Sequence, residues 1–559
     1  MIRWLALAAI ACGQVEAPAP ASVDDPSQTA TATATETETE TTSGTEPTTP
    51  PDTTEEPDPA WDAVEVLIKA SLDLRGVRPS VAEIEAIEAD PTGLDATIEG
   101  FLDDARFESR VLDQFAAIYL TRRDVWDVSA GSYGLGDEAT FANHVGQEPL
   151  RLLARIVAEG RPYSDLVTAD TTLATDLLAE IWPLELVGEA KQGWSEARYT
   201  DGRPMAGILT TNGLWWRYMS DANNANRGRA NALSKILLCS DYLTRPIEFD
   251  RDVDLLDVDA VNNALQNNPG CVACHSTLDP LAAHLWGFYY VYYFMASDIT
   301  YYHPEREGMW SDITGVAPSY YGTPTNGLLD LAYQLAADPR LVECATQQVT
   351  EIMLQRPTGL DDTQLLTDYR EAFLSADLRL DAVYRQVLHS DEYRTTPKMP
   401  TPSLLASQIE DLTGYRFTYA GYDMMETDTY GLRVLAGGVD GVFVNARADM
   451  PIATGTMVLE RLSQAAAHHV VHSDAVSDEP VLFEHVGFTE TPISGQDVMV
   501  EQIQALHLRL FGHRIEADGQ EVEANLELWE DLYATDPDPK AAWTGLLSTL
   551  LRDPDFLLY

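Results

Sequence analysis

Cys271-Val272-Ala273-Cys274-His275 is the stretch of this chain whose residue types and spacing carry the most specific chemistry. Two thiols three positions apart can reach both vinyl groups along one porphyrin edge and form thioethers, and the adjacent histidine then supplies a proximal nitrogen to the iron. The spacing predicts one covalent haem c held by Cys271 and Cys274, with His275 as the proximal ligand. A disulfide loop, or a metal-binding Cys pair followed by an incidental histidine, is the alternative reading of the same residues. Pro280 is read as the residue whose carbonyl accepts the ring N–H and orients His275; otherwise it is a turn former.

A second axial ligand would be Met or His. Met295, His303, Met309 and Met353 lie downstream, and His284 lies very near the motif. Met309, after Gly308 in an expected loop, is the choice for the distal position, with a five-coordinate iron as the alternative. Arg217, Arg227, Arg229 and Lys235 cluster in a strongly acidic chain. Arginine forks match carboxylates, so Arg227 and Arg229 are expected to clamp haem propionates or an acidic ligand, against the plainer reading of local salt bridges. An aromatic run from Trp286 to Phe294, continued at Tyr301, Tyr302, Trp310, Tyr320 and Tyr321, would pack a porphyrin face, stack on sugars or fill a core.

The segments around these residues read mainly as helices. Trp61–Leu72 shows a first apolar face, Gly76 ends it, and Ser80 with Glu83 forms a capping box for the next helix. Leu94–Leu102, Phe107–Leu120 and Pro149–Glu159 continue the pattern, and Ser164 is read as an N-cap. Strand signals are sparse, so the fold class is mainly α: a multi-domain helical protein with an embedded cytochrome c-like module and small β content in the C-terminal part. The expected organisation is a signal peptide at 1–12 and a tether at 13–60. An N-terminal helical domain at 61–200 and a helical domain carrying the haem motif at 201–394 come next. A linker at 395–402 leads to a mainly helical C-terminal domain at 403–559. In that last part Ala436–Gly441 is a turn, not a phosphate loop, since no Gly-Lys-Ser/Thr follows. His468 and His472 share a helix face as a metal pair would, but lack a nearby third ligand in sequence.

Composition limits the function. With 36 Lys+Arg against 89 Asp+Glu the net charge is −53, which repels nucleic-acid phosphates and anionic membranes and excludes both as partners. A basic redox partner, or a high-salt habitat, fits that surface. Met1-Ile2-Arg3, an apolar run to Ala11, and Ala9-Ile10-Ala11-Cys12-Gly13 read as an export signal with a lipobox, Cys12 being acylated; an ordinary secretory peptide or a misplaced start is the alternative. The Thr/Glu/Pro-rich tract that follows has no apolar cluster to seed a core and reads as a disordered acidic tether. Gly13 is not the aspartate that retains some lipoproteins at the inner membrane, so the outer membrane is favoured, with the lipid as the sole membrane contact. If Cys12 takes lipid and Cys271 and Cys274 take haem, Cys239 and Cys344 remain, as a disulfide or as two buried thiols.

The chain resembles the large exported proteins of planctomycetes and myxobacteria built from cytochrome c-associated domains of unknown function. The matching stretches are 74–80, 148–170, 206–239, 271–280, 339–344 and 551–559. The Cys-x-x-Cys-His-x-x-x-Asp-Pro block at 271–280 and the Arg-Gly-Arg to Leu-Leu-Cys block at 227–239 are the specific parts. The resemblance implies an exported, mostly helical protein with a cytochrome c-like module and brings no assigned reaction. This chain departs after Pro280, where Leu281-Ala282-Ala283-His284 replaces the family's usual glycine and polar segment. The expectation is a cell-envelope lipoprotein carrying one haem c for electron transfer. A haem-dependent oxidoreductase, or a glycan-binding surface lipoprotein with a structural Cys pair, are the competing classes.

Overall fold

Asp62 opens the first helix, Ala63–Arg75, by accepting the backbone N–H groups of Val64 and Glu65 at 2.8 and 3.0 Å, which satisfies two donors that a helix start leaves open. Gly76 ends it in the left-handed region at φ 76°, where a side chain would be strained. The capping box of Ser80 and Glu83 is formed in both directions and opens Val81–Ala89. A computed structural model describes residues 61–220, 224–246, 253–254, 256–429 and 431–559. The segments expected to form the export signal, the acylated Cys12 and the tether lie outside the described residues. Among those residues the fold is mainly α, with twenty-four α-helices and seven strands of two to five residues. No helix of the described residues is long and apolar enough to cross a membrane.

Two local expectations are corrected. The helix expected to begin at Pro149 runs from Glu138 to Ala158 with the proline inside it. A proline there cannot donate to the carbonyl of Val145 four residues back. Gly213 approaches that carbonyl so closely that a Cβ on it would sit 2.2 Å from the oxygen, so only glycine fits. Ser164 makes no side-chain cap bond, and the helix after it is the single turn Asp165–Thr168.

Small β content is present in the C-terminal part, as expected, but most of it lies elsewhere. The largest sheet lies in the N-terminal part: Ser195–Tyr199 is its central strand, antiparallel to Thr172–Ala174 and Leu184–Leu186, with Thr172 opposite Ala197 and Leu184 opposite Tyr199. The C-terminal part holds only the Thr418–Tyr419 and Tyr422–Asp423 pair among described residues. Strands this short carry too few residues for an alternation to show.

The largest apolar core draws on residues from Val66 to Tyr393, on both sides of residue 200. A second, built by Ala453–Asp474, Gln496–Phe511 and Pro539–Leu550, spans Leu405 to Phe556. A smaller cluster between Trp126 and Trp216 backs the sheet. All of it belongs to one compact unit, Pro59–Tyr559.

Glu148, fully buried, joins helix to sheet: it accepts from Tyr199 Oη at 2.7 Å, Gly213 N at 2.9 Å and Thr172 Oγ1 at 3.3 Å. Burial outweighs these donors and the nearby Arg203, and pushes its pKa from 4.5 up to about 7. A carboxyl raised on folding contributes stability fully present below its unfolded pKa and lost as pH rises through the folded one. Stability should therefore fall between about pH 4.5 and 7 by up to about 3 kcal/mol from this group. Glu148→Gln should flatten that limb, read as urea midpoints across the range; an unchanged slope would reject the assignment.

Candidate functional site

The helix that carries the motif runs Pro269–Ala282. Asn268 caps it by accepting Gly270 N–H at 3.0 Å, and Pro269 occupies the first turn, where its missing N–H costs nothing. Steps of three and four residues bring Cys271, Cys274 and His275 to one face of this helix. Both thiols are free and half-buried. Thr277 ties the helix to its surroundings, donating to the Cys274 carbonyl at 3.1 Å and meeting Tyr242 Oη at 2.9 Å.

One turn beyond His275, Asp279 lies with its Oδ1 2.8 Å from the histidine Nδ1. Arg227 closes on the same carboxylate with two bonds, Nε to Oδ1 at 2.7 Å and Nη2 to Oδ2 at 2.9 Å. Burial works to raise the Asp279 pKa, but the Arg227 fork and the His275 ring together hold it below the ordinary carboxylate range. An ionised carboxylate only accepts, so Nδ1 of His275 is the donor in this pair, which in the neutral ring leaves the lone pair on Nε2. Nε2 has no bond to a described residue, and the side chain is 24% exposed. A histidine whose far nitrogen donates to a carboxylate is oriented and made more basic as a metal ligand. Two free thiols and one imidazole lone pair on a partly exposed helix face are a donor set that fits a c-type haem.

Arg227 arrives from the start of a second helix, Arg227–Leu238, whose end is also pinned. Cys239 follows in the left-handed region and is disulfide-bonded to Cys344 of helix Pro339–Leu354, with 5.2 Å between the Cα atoms. The cross-link spans 105 positions, a separation at which loop-closure entropy is large. It anchors the helix that delivers Arg227.

Other predicted site residues are placed differently. The ring N–H bond assigned to the Pro280 carbonyl is made to the Asp279 side chain; Pro280 sits buried in the last turn of the helix. Neither arginine is arranged as a propionate clamp. Arg227 is committed to Asp279. Arg229 is buried and donates to the carbonyls of Tyr218 and Phe288 at 3.0 and 2.9 Å and to Asn226 Oδ1 at 3.0 Å. Burial pulls its pKa down to about 10. Met309 packs with Trp310 against Ala225, Trp286 and Tyr289, a gap-filling use of a thioether that gives no support to a distal role. His284 is buried with its nitrogens on Thr325 Oγ1 and the Leu281 carbonyl, and His303 bonds the Asp298 carbonyl and Glu305.

The aromatic run divides in two. Trp286, Phe288, Tyr289, Tyr302 and Tyr320 are core, whereas Val291 to Met295 form an exposed ridge. Asp298 holds the ridge by accepting the backbone N–H groups of Val291 and Tyr292, both at 2.6 Å. His468 and His472 stack at 4.0 Å between centroids. Among the described residues no group of three or more His, Cys, Asp or Glu is disposed to hold a metal ion.

The sequence includes Asp279 in the 271–280 block without assigning it a role. On the Pro269–Ala282 helix it stands four residues from His275, a spacing that makes side chains neighbours. Its partner Arg227 is 52 positions away and has no such spacing. Comparison with known protein-family profiles, with curated proteins and with solved structures finds no match to this chain.

Proposed function

We propose that this chain is an exported, lipid-anchored envelope protein that carries one covalent haem c and serves in electron transfer. The observation that supports the reading most is the row Arg227–Asp279–His275, which leaves Nε2 free on the helix face that also bears Cys271 and Cys274. In this reading Cys271 and Cys274 hold the porphyrin edge through thioethers and His275 offers Nε2 to the iron. Asp279 keeps the proton on Nδ1, and Arg227 keeps Asp279 ionised and still. Bound there, the haem would supply one-electron exchange. The acidic surface suits a basic redox partner, and Cys12 would supply the anchor.

The test is a haem-stained denaturing gel of protein exported with the c-haem maturation machinery present. Wild type should stain, and Cys271→Ala/Cys274→Ala should not. No stain in either lane, with a control cytochrome matured alongside, would sink the proposal.

One observation favours a haem-dependent oxidoreductase as the second reading. A proximal histidine backed by an ionised carboxylate donates more electron density to its metal, which suits a site that activates a ligand. A high-spin ferric spectrum that shifts on adding cyanide would support this enzyme class, whereas a six-coordinate spectrum indifferent to cyanide would support the carrier.

A further inference from the structure

A cleft of about 450 Å³ lies away from the motif helix. One wall is the turn after Arg106–Tyr119 together with the first turns of Glu138–Ala158; the other is the 416–433 segment. That volume falls within the range of small-molecule sites, roughly 300–1,000 Å³. Four arginines line it, Arg122, Arg123, Arg416 and Arg433, a concentration at odds with a chain of 36 basic and 89 acidic residues.

Three of the four are already paired. Arg122 donates to Asp113, Arg416 Nε to Asp423 at 2.9 Å, and Arg433 Nη2 lies 2.7 Å from Asp428 and 3.4 Å from Asp124. The lining carboxylates are engaged as well. Asp124 also accepts the backbone N–H groups of Asp428 and Thr429, and Glu138 accepts that of Ala130 at 2.9 Å. Burial raises the Glu426 pKa, with Arg122 opposing.

Arg123 is the exception. Among the described residues it makes no hydrogen bond and no close ion pair; Asp127 and Asp440 favour its charge from further away and Arg217 opposes it, and its Nε, like that of Arg122, is buried without an acceptor. Its guanidinium lies over the face of Trp126, 5.3 Å from the centroid, which holds the fork in place from one side. Its Nη1 and Nη2 groups, which make no hydrogen bond among the described residues and are not closed off, are left to meet an oxygen brought by a ligand. A planar guanidinium selects a carboxylate by two parallel bonds.

We propose that this cleft binds a carboxylate-bearing small molecule, with Arg123 recognising the carboxylate and Asn143 and Arg416 meeting its other polar groups. The carboxylate can belong to a free organic acid or to the uronic acid of an acidic sugar. The site is independent of the haem reading.

Calorimetric titration of the full chain at low salt, with citrate in one arm, digalacturonate in a second and neutral maltose in a third, tests it. One of the two acids should bind saturably at a single site, and maltose should not. Arg123→Ala should weaken binding roughly tenfold or more, Arg123→Lys less, and Arg514→Ala, on a distant exposed arginine, not at all. Added salt should weaken it too. No heat with either acid overturns the proposal, as does undiminished binding to an Arg123→Ala variant with a native circular dichroism spectrum. If that variant does not fold, the wild-type arms decide: maltose bound as tightly as the acids overturns the proposal, and acid-only binding that weakens with salt upholds it.

Discussion

Changing Asp73 to alanine is expected to lower the unfolding free energy by about 3–5 kcal/mol, the cost of leaving one partner of a buried ion pair alone. Asp73 and Lys398 are almost fully buried, with Lys398 Nζ 2.6 Å from Oδ2. The Tyr393 and Tyr559 hydroxyls donate to the same carboxylate at 2.8 and 3.2 Å. Burial pulls the Lys398 pKa down to about 8, with Asp73 opposing, so this ammonium depends on its partner. The node also fixes three distant segments. Lys69 on the first helix donates to the carbonyls of Tyr393 and Thr396 at 2.9 and 2.7 Å, and Lys398 exchanges both backbone bonds with Tyr559, the last residue. A loss below about 1 kcal/mol in urea unfolding would show that the charge is solvated or re-paired. Asp73→Leu combined with Lys398→Met should recover part of the loss, because replacing both charges removes the orphan.

Asp279→Asn is expected to leave haem attachment intact and to raise the midpoint potential of the proposed centre by roughly 60–120 mV. Removing a carboxylate behind a ligating histidine typically changes metal affinity by about 10–100-fold. If that loss falls on the ferric state, each tenfold corresponds to about 59 mV for one electron. Asparagine keeps the shape and accepts from Nδ1, but it no longer carries the charge that Arg227 pairs with at 2.7 and 2.9 Å. Asp279→Glu should restore most of the potential if the role is electrostatic positioning. A spectroelectrochemical titration decides it. A shift smaller than about 20 mV, with the haem still bound, would mean that Asp279 supports the helix and not the ligand.

Neighbours along the chain settle part of this fold among themselves. Asp62, Gly76 and the Ser80–Glu83 box set helix ends, since a cap bonds groups within one turn. The spacing of Cys271, Cys274 and His275 puts them on one face once the segment is a helix, as it is over Pro269–Ala282. The mainly helical class followed from apolar periodicity repeated over many long segments. Pro149 misled because its local signal, a helix start, was overridden by Gly213 arriving against the freed Val145 carbonyl.

Which distant groups meet is set by how the helices pack. Arg227 and Arg229 looked alike in sequence, yet one holds Asp279 and the other is buried on main-chain carbonyls. Cys239 met Cys344 because two helices 105 positions apart pack side by side. The cleft at Arg123 needed residues near 122–144 and 416–433 to face each other, and the Asp73 node needed 73, 393, 398 and 559. A charged side chain carries no mark of its partner in its own neighbourhood. The partner is selected when apolar cores dock and exclude water, because a charge left without one is then too costly to keep.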